Sequence, residues 1–183
     1  AGRNNKQVFW FNPENGEFKY VGRKRGQQTF TPEGGYGAGK DKVLVVIHTN
    51  TSHGPTYFKK YPSDFEIFTP VCTTVEMSKA DHDELMNAYD NTIVYTDWLM
   101  HRVISVLKEI PDARTCMIYV SDHGESLGEN NLYMHGVPMS MAPAEQVEIP
   151  FIVWDSDDST TVKPLEKVSQ YHVFHSIMNF MGV

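Results

Sequence analysis

Three short runs of apolar residues predict strands that lie inside a layered fold. They cover residues 43–47, 115–120 and 149–154, and apolar side chains fill most positions of each run. A strand that is covered on both faces has such an uninterrupted pattern, whereas a strand with one solvated face alternates between apolar and polar residues. The three runs therefore predict strands, and the runs at 43–47 and 115–120 are predicted to be buried.

Two helices are predicted, a long one over residues 81–109 and a shorter one over residues 169–181. Apolar residues and threonines recur in the first at three- and four-residue spacing, which gives one packed face. Ser78 or Asp81 is suited to cap its start, and Pro111 follows its end. The predicted packed residues are Leu85, Tyr89, Thr92, Thr96, Leu99, Val103, Val106 and Ile110 in the first helix, and Tyr171, Phe174, Met178 and Met181 in the second. Strands that alternate with helices predict an α/β fold.

The N-terminal region predicts a small peripheral structure. Residues 7–11 and 17–21 are β-like runs, and the Asn-Gly pair between them favours the tight turn of a hairpin. Residues 22–42 are polar and rich in glycine, which is typical of a loop. The chain is therefore predicted to be one domain, with a peripheral part at 1–42 and a core at 43–183.

Composition excludes some function classes. The formal net charge of -7 argues against nucleic acid as a partner, because nucleic-acid-binding proteins present a basic face. No run of about 18 apolar residues occurs, so no segment is predicted to span a membrane. Two cysteines, Cys72 and Cys116, do not make a disulfide framework. The first residues lack both an initiating Met and the apolar core of a signal peptide, so we expect a chain that begins partway through a longer protein.

Polar groups with metal-binding chemistry follow two of the predicted strands. Asp122 and His123 come after the second strand, and His48 and His53 follow the first. Ligands of open α/β sheets bind beyond the carboxyl ends of the strands, so these residues are candidates for one site. A carboxylate beside an imidazole suits zinc. Gly124 would let the backbone turn sharply at this point.

Glu125 and His135 extend this set of candidates. His135 lies in a loop about a dozen residues after His123, close enough to fold back over the same crevice. Carboxylates together with several imidazoles fit zinc hydrolases and transferases that act on phosphate or sulfate esters. His172 and His175 of the final helix are interpreted as packing or capping residues, because a zinc site needs more ligands than this pair offers.

Four segments, in this order along the chain, resemble one enzyme family. They are Ser-His-Gly-Pro-Thr-Tyr-Phe at 52–58, Tyr-Asp-Asn-Thr-Ile-Val-Tyr-Thr-Asp at 89–97, Ser-Asp-His-Gly-Glu-Ser-Leu-Gly-Glu at 121–129 and Met-His-Gly at 134–136. On these segments the chain resembles the periplasmic phosphoethanolamine transferases of the alkaline phosphatase and sulfatase superfamily. The resemblance implies an α/β fold, a layered α/β/α sandwich of the alkaline phosphatase/sulfatase type, incomplete at the N-terminal side. The chain would then be the C-terminal part of such a catalytic domain.

The resemblance also implies a reaction. In the family, a threonine nucleophile takes phosphoethanolamine from phosphatidylethanolamine and passes it to a cell-envelope glycolipid, in two displacement steps. The implied roles here are catalytic Zn²⁺ ligands for Asp122 and His123, a second metal or phosphate contacts for His53 and His135, and substrate binding for Glu125 and His48.

The remaining expectations concern the sequence that precedes the matching region in members of the family. The nucleophilic threonine, a metal-ligating glutamate and several membrane helices come from that sequence. We therefore expect a piece of a zinc-dependent transferase that is inactive by itself. Its location would be the bacterial inner membrane, with the catalytic domain facing the periplasm.

Two alternatives stay open. Another member of the superfamily, a phosphoglycerol transferase or a sulfatase, would share the metal chemistry, and a sulfatase would need an upstream formylglycine. A metal-free pseudoenzyme or binding module that kept the fold would bind no metal at Asp122 and His123. Two departures mark this chain: Ala80 stands where family members carry a cysteine that pairs with the equivalent of Cys72, and Thr51 replaces a glycine.

Overall fold

The computed structural model describes residues 9–12, 17–20, 28–30, 42–158 and 168–182. The α-helices and strands of these described residues are β1 (Phe9–Asn12), β2 (Glu17–Tyr20), β3 (Gln28–Phe30), α1 (His82–Lys108), β4 (Cys116–Val120), β5 (Ser126–Leu127), β6 (Tyr133–Met134), α2 (Ala144–Val147), β7 (Phe151–Asp155) and α3 (Tyr171–Phe180). The chain divides into two compact units: the first comprises 1–49, 102–115 and 156–183, and the second comprises 50–101 and 116–155.

The predicted N-terminal hairpin is confirmed. β1 and β2 pair antiparallel, with Phe9 opposite Tyr20, and β3 adds to β2 with Phe30 opposite Phe18. β3 lies within the stretch predicted as a loop, so that prediction is wrong for residues 28–30. A three-residue strand gains its backbone hydrogen bonds from its neighbour, and so short a segment carries too little periodicity of its own to be recognised.

The long predicted helix is confirmed as α1, within one residue at each end. Asp81, one of the two predicted capping residues, directly precedes it, and its carboxylate Oδ1 accepts hydrogen bonds from the backbone N–H groups of Asp83 at 3.0 Å and Glu84 at 3.2 Å. These bonds satisfy two of the four N–H groups that a helix start leaves without intrahelical partners.

The packed face of α1 is confirmed in its first half. Leu85, Thr92 and Thr96 of the predicted face are buried, and Ala88 and Asn91 are buried beside them. Asn91 was not on the predicted face, because the periodicity argument uses apolar residues and treats an asparagine as outward-facing.

Two of the three predicted strands are confirmed, as β4 and β7. They pair antiparallel, with Cys116 opposite Asp155 and Val120 opposite Phe151. Their positions are partly rather than fully buried, apart from the exposed Ile152. β4, which was predicted to be a buried strand, is therefore only partly buried.

The predicted strand at residues 43–47 is also wrong. This segment forms no regular secondary structure, and Leu44 and Val46 are 55% and 68% exposed. A strand exists only through hydrogen bonds to a neighbouring strand, and no segment among the described residues pairs with this one. An apolar run shows a tendency to form a strand, but it does not supply the partner.

α3 confirms the final predicted helix, and Gly182 follows its end as expected, in a left-handed conformation with φ of 64°. The predicted packed face of α3 is wrong for Tyr171 and Phe174, which are 87% and 64% exposed. Met178 and Met181 of the same face are half-buried. Helical spacing shows which residues share a face, but not whether a neighbour covers it. His172 lies at the helix start with Nδ1 3.0 Å from the backbone N of Ser169, in line with its interpretation as a capping residue.

The core of the second unit positions the segment that holds the candidate residues. Its buried apolar residues come from the loops before α1, from α1 itself and from β5: Tyr57, Cys72, Met77, Leu85, Ala88 and Leu127. Cys72 is a free thiol, and burial raises its pKa. No helix in the described part of the chain is both long and apolar enough to cross a bilayer.

Candidate metal centre

Four candidate residues from distant parts of the sequence meet in the second unit. One ligand atom from each of His53, His123, Glu125 and His135 can be chosen so that all four atoms lie within 4.8 Å of one another. His53 is exposed, His123 and His135 are half-buried, and Glu125 is buried. The group therefore reaches from the core to the surface.

A short antiparallel strand pair brings Glu125 and His135 together. β5 and β6 pair with Ser126 opposite Met134. Glu125 directly precedes β5 and His135 directly follows β6, so the two lie side by side at the same end of the pair. His135 Nδ1 is 2.9 Å from Glu125 Oε1.

Hydrogen bonds to α2 fix the segment between β4 and β5. The backbone N–H of Gly124 donates to the carbonyl oxygen of Gln146 at 3.0 Å, and Gln146 Nε2 donates to Ser126 Oγ at 2.8 Å. Both Ser126 and Gln146 are buried, so these bonds are shielded from water. The backbone on either side of Glu125 is thereby fixed.

The imidazole rings form a compact group. The ring centroids of His123 and His135 are 3.6 Å apart with the planes 29° from parallel. His53 approaches both edge-on, 5.3 Å from His135 and 6.1 Å from His123 between centroids.

Each of the three rings has Nδ1 in a hydrogen bond. His53 Nδ1 lies 2.7 Å from the carbonyl oxygen of Gly54, and His123 Nδ1 lies 3.0 Å from that of Gly124. A carbonyl oxygen only accepts, so Nδ1 of both rings must donate. An ionised Glu125 likewise only accepts, so His135 Nδ1 donates to it as well. In a neutral imidazole whose Nδ1 carries the hydrogen, Nε2 has the lone pair that can bind a metal.

Glu125 has both carboxylate oxygens bonded inside the protein. Oε2 accepts the hydroxyl of Tyr57 at 2.8 Å, opposite the bond to His135, and the side chain is 5% exposed. Burial and then the adjacent negative charge of Glu125 raise the pKa of Tyr57 well above its ordinary value near 10. The ring of Tyr89 packs edge-on against Tyr57, with centroids 5.4 Å apart, and burial raises its pKa too.

Asp122 lies at the outer side of the group. Its Oδ1 is 3.9 Å from His123 Nε2, and its side chain is 79% exposed. Two atoms bound to one tetrahedral zinc at about 2.1 Å are roughly 3.4 Å apart, so a small side-chain movement would bring both onto one ion. Burial, and then the charge of Asp122, raises the pKa of Tyr119 on β4.

His48 is not among the four grouped residues. It is exposed and belongs to the first unit. Its predicted substrate-site role stays a prediction.

The donor set fits zinc. Imidazole nitrogens and carboxylate oxygens are its usual ligands, and ligating histidines normally donate their other ring N–H to a carbonyl or carboxylate, which orients the ring. All three histidines here meet that condition. The sequence pattern predicts no role for Tyr57, although this residue contacts the group. It lies in the 52–58 segment, but nothing in its local pattern pointed to Glu125, which is 68 residues away.

Comparison with known proteins identifies the class. The Sulfatase family profile matches residues 12–183, so the chain belongs to the sulfatase family. Its members share an α/β fold, which confirms the predicted fold class.

An individual relative gives more specific information than the family as a whole. Phosphoethanolamine transferase EptA of Escherichia coli is 47% identical over 116 residues, which is 63% of this chain and 21% of that protein. The chain thus matches about a fifth of the length of this curated relative.

Two solved structures are similar. The C-terminal periplasmic domain of phosphoethanolamine transferase EptC from Campylobacter jejuni is 53% identical with a TM-score of 0.58, over 59% of this chain and 35% of that one. The integral membrane protein lipooligosaccharide phosphoethanolamine transferase A from Neisseria meningitidis is 45% identical with a TM-score of 0.56, over 58% of this chain and 20% of that one. The predicted resemblance to phosphoethanolamine transferases is confirmed.

Proposed function

We propose that this chain forms the zinc-binding part of a phosphoethanolamine transferase. The observation that carries the proposal is the grouping of His53, His123 and His135 with Nδ1 of each ring already engaged. In each ring the hydrogen bond is made by Nδ1, so the Nε2 lone pair on the other side of the ring does not face that partner. Such an arrangement of three rings is suited to a metal rather than to packing. The names of the relatives supply the transferred group.

The proposed ligand roles are those that the family resemblance implies, and the distances in the structure are compatible with them. Asp122 and His123 would bind the catalytic zinc, and their Oδ1 and Nε2 atoms are 3.9 Å apart. His53 and His135 would hold a second zinc or contact the phosphate. When bound, zinc would stabilise the negative charge that develops on the transferring phosphoryl group. Glu125 has both oxygens engaged within the protein, which favours orienting His135 over the substrate contact expected from its sequence position.

The substrates, location and nucleophile are also proposals. Phosphatidylethanolamine would be the donor and a cell-envelope glycolipid the acceptor, as the lipooligosaccharide transferase of Neisseria meningitidis suggests by its name. The threonine nucleophile would be supplied by sequence upstream of residues 1–183, so the chain by itself would be inactive. The site would face the periplasm from the bacterial inner membrane.

A chimera tests this function. This chain replaces the matching segment of the Escherichia coli relative, and mass spectrometry of extracted glycolipid measures the transferred phosphoethanolamine while elemental analysis measures zinc. We expect transfer and bound zinc. Asp122→Ala and His135→Ala should each lower zinc affinity by more than about 10-fold, because each removes a proposed ligand.

His175→Ala is the matched control, since it removes an exposed histidine on α3 from outside the group. A chimera that binds zinc without transferring phosphoethanolamine would favour a phosphoglycerol transferase or sulfatase. Zinc content that neither Asp122→Ala nor His135→Ala lowers would favour the metal-free alternative.

A further inference from the structure

A continuous series of hydrogen bonds connects the core to the candidate metal centre. Tyr57 Oη donates to Glu125 Oε2 at 2.8 Å, and Glu125 Oε1 lies 2.9 Å from His135 Nδ1. The three side chains become progressively more exposed, since Tyr57 is 0% exposed and the side chains of Glu125 and His135 are 5% and 28% exposed. Tyr57 is thus the buried end of this series of hydrogen bonds.

Packing leaves the Tyr57 hydroxyl no alternative position. Its ring belongs to the buried core cluster and meets the ring of Tyr89 edge-on. The hydroxyl also lies beneath the backbone at Gly54, where a Cβ atom would be 2.7 Å from Oη and 3.4 Å from Glu125 Oε2. The absence of a side chain at Gly54 therefore lets the loop that carries His53 close over the Tyr57–Glu125 pair.

Glu125 needs such a partner for two reasons. A buried carboxylate that lacks hydrogen-bond donors is destabilised by the loss of water. A carboxylate also rotates about its last bond unless both oxygens are held, and only one orientation presents Oε1 to His135. The Tyr57 hydroxyl supplies a donor and selects that orientation.

We propose that Tyr57 is a positioning residue that acts through Glu125 to hold His135 as the Nδ1–H tautomer, with Nε2 free for the metal. This inference rests on the proposed function for its metal-binding consequence. Its structural part, the tautomer of His135, does not depend on any metal.

The test uses Tyr57→Phe in the full chain. Phenylalanine keeps the ring and removes only the hydroxyl. Long-range ¹H–¹⁵N spectra of the metal-free chain should show His135 as Nδ1–H in the wild type and as a mixture of tautomers in the variant. Competition with a chromophoric chelator should show zinc affinity lowered by about 10- to 100-fold, the range typical for partners of ligating histidines.

Tyr61→Phe is the matched control. Tyr61 is also buried, and its hydroxyl also donates to a carboxylate, Glu66 Oε2 at 3.4 Å, but that carboxylate holds no histidine of the group. Its zinc affinity should stay within about twofold of the wild type, well below the effect expected for a partner of a ligating histidine. A general loss of core stability would instead affect both variants.

A double-mutant cycle separates positioning from packing. Tyr57→Phe should have little further effect on zinc affinity in a Glu125→Gln background, because the path through Glu125 is already altered. Additive effects would overturn the proposal. An unchanged zinc affinity in Tyr57→Phe, or an Nε2–H tautomer of His135 in the wild-type chain, would overturn it as well.

The two proposals fail differently. A wild-type chain that binds no zinc contradicts the proposed function, while the His135 spectra still decide the role of Tyr57. A chain that binds zinc equally well with and without the Tyr57 hydroxyl contradicts the positioning role alone.

Discussion

At Gly124, between two residues of the candidate centre, two backbone segments approach more closely than a side chain permits. A Cβ atom at this position would lie 1.9 Å from the backbone oxygen of Glu145 in α2. The sequence predicts that Gly124 allows a sharp turn here. The structure gives a different reason for a glycine, which is the close approach of α2 that allows the Gly124 N–H to reach Gln146.

Gly124→Ala should therefore be strongly destabilising. The segment between β4 and β5 would have to move away from α2, at a cost of at least about 3 kcal/mol in the free energy of unfolding. Urea denaturation measures the change. Zinc affinity should fall as well, because His123 and Glu125 are the two residues next to Gly124.

Gly136→Ala provides the comparison for that experiment. Gly136 adjoins His135, has φ of 101° and has no atom within 4 Å of an added Cβ. Alanine there is strained by the backbone conformation alone, at about 1–2 kcal/mol. Equal losses in the two variants would contradict the explanation by close approach.

At the scale of elements, α1 organises the second unit through buried polar side chains. Thr92 Oγ1 and Ser52 Oγ are hydrogen-bonded at 2.8 Å, and the hydroxyls of Thr96 and Thr51 are 2.7 Å apart. These contacts hold the loop that leads to His53. Thr51, which departs from the family pattern, thus forms a second hydrogen bond between this loop and α1.

Asn91 shows the same principle on the adjacent side of α1. Its side chain is fully buried, and Oδ1 accepts hydrogen bonds from the backbone N–H groups of Ile67 and Phe68, both at 2.9 Å. Nδ2 donates to the carbonyl oxygen of Phe68 at 2.9 Å. One side chain therefore satisfies three backbone groups of the preceding loop.

Asn91→Ala should lower the free energy of unfolding by about 2–4 kcal/mol, because it removes a buried side chain and leaves two partly buried backbone N–H groups without their acceptor. Urea denaturation is again the measurement. Asn87→Ala is the matched control, since Asn87 lies one turn earlier and makes a single bond to the carbonyl oxygen of Pro70. Its expected cost is about 1 kcal/mol, and a cost equal to that of Asn91→Ala would contradict the role of burial.

At the scale of the whole molecule, several tyrosines make stability depend on alkaline pH. Burial is the main cause that raises the pKa of Tyr57, Tyr89 and Tyr119. Below pH 10 these hydroxyls are protonated in both the folded and the unfolded chain, so they add no pH dependence. Above pH 10 the unfolded chain loses these protons while the folded chain keeps them, so the unfolded state is favoured.

The free energy of unfolding of the metal-free chain should therefore fall as the pH rises above about 10. Tyr57 should contribute about 1.4 kcal/mol per pH unit. Urea denaturation between pH 9 and pH 11 measures the slope, and Tyr57→Phe should remove one tyrosine's share of it. A slope that is the same in the variant and the wild type would show that Tyr57 ionises normally in the folded chain.

The amino-acid sequence by itself determined the elements whose cause is local. The periodicity and capping of α1, the apolar runs of β4 and β7 and the paired strands of the hairpin depend on residues near one another in the chain. The motifs that carry His53, His123, Glu125 and His135 were sufficient to predict the family.

Only the tertiary structure decided which of these residues meet and what holds them. The segment 43–47 has strand-like composition but lacks a paired neighbour among the described residues, and Tyr57 reaches Glu125 across 68 positions of sequence. Local pattern records which face of an element is apolar. It does not record contacts between distant segments, because those depend on the packing of the folded chain.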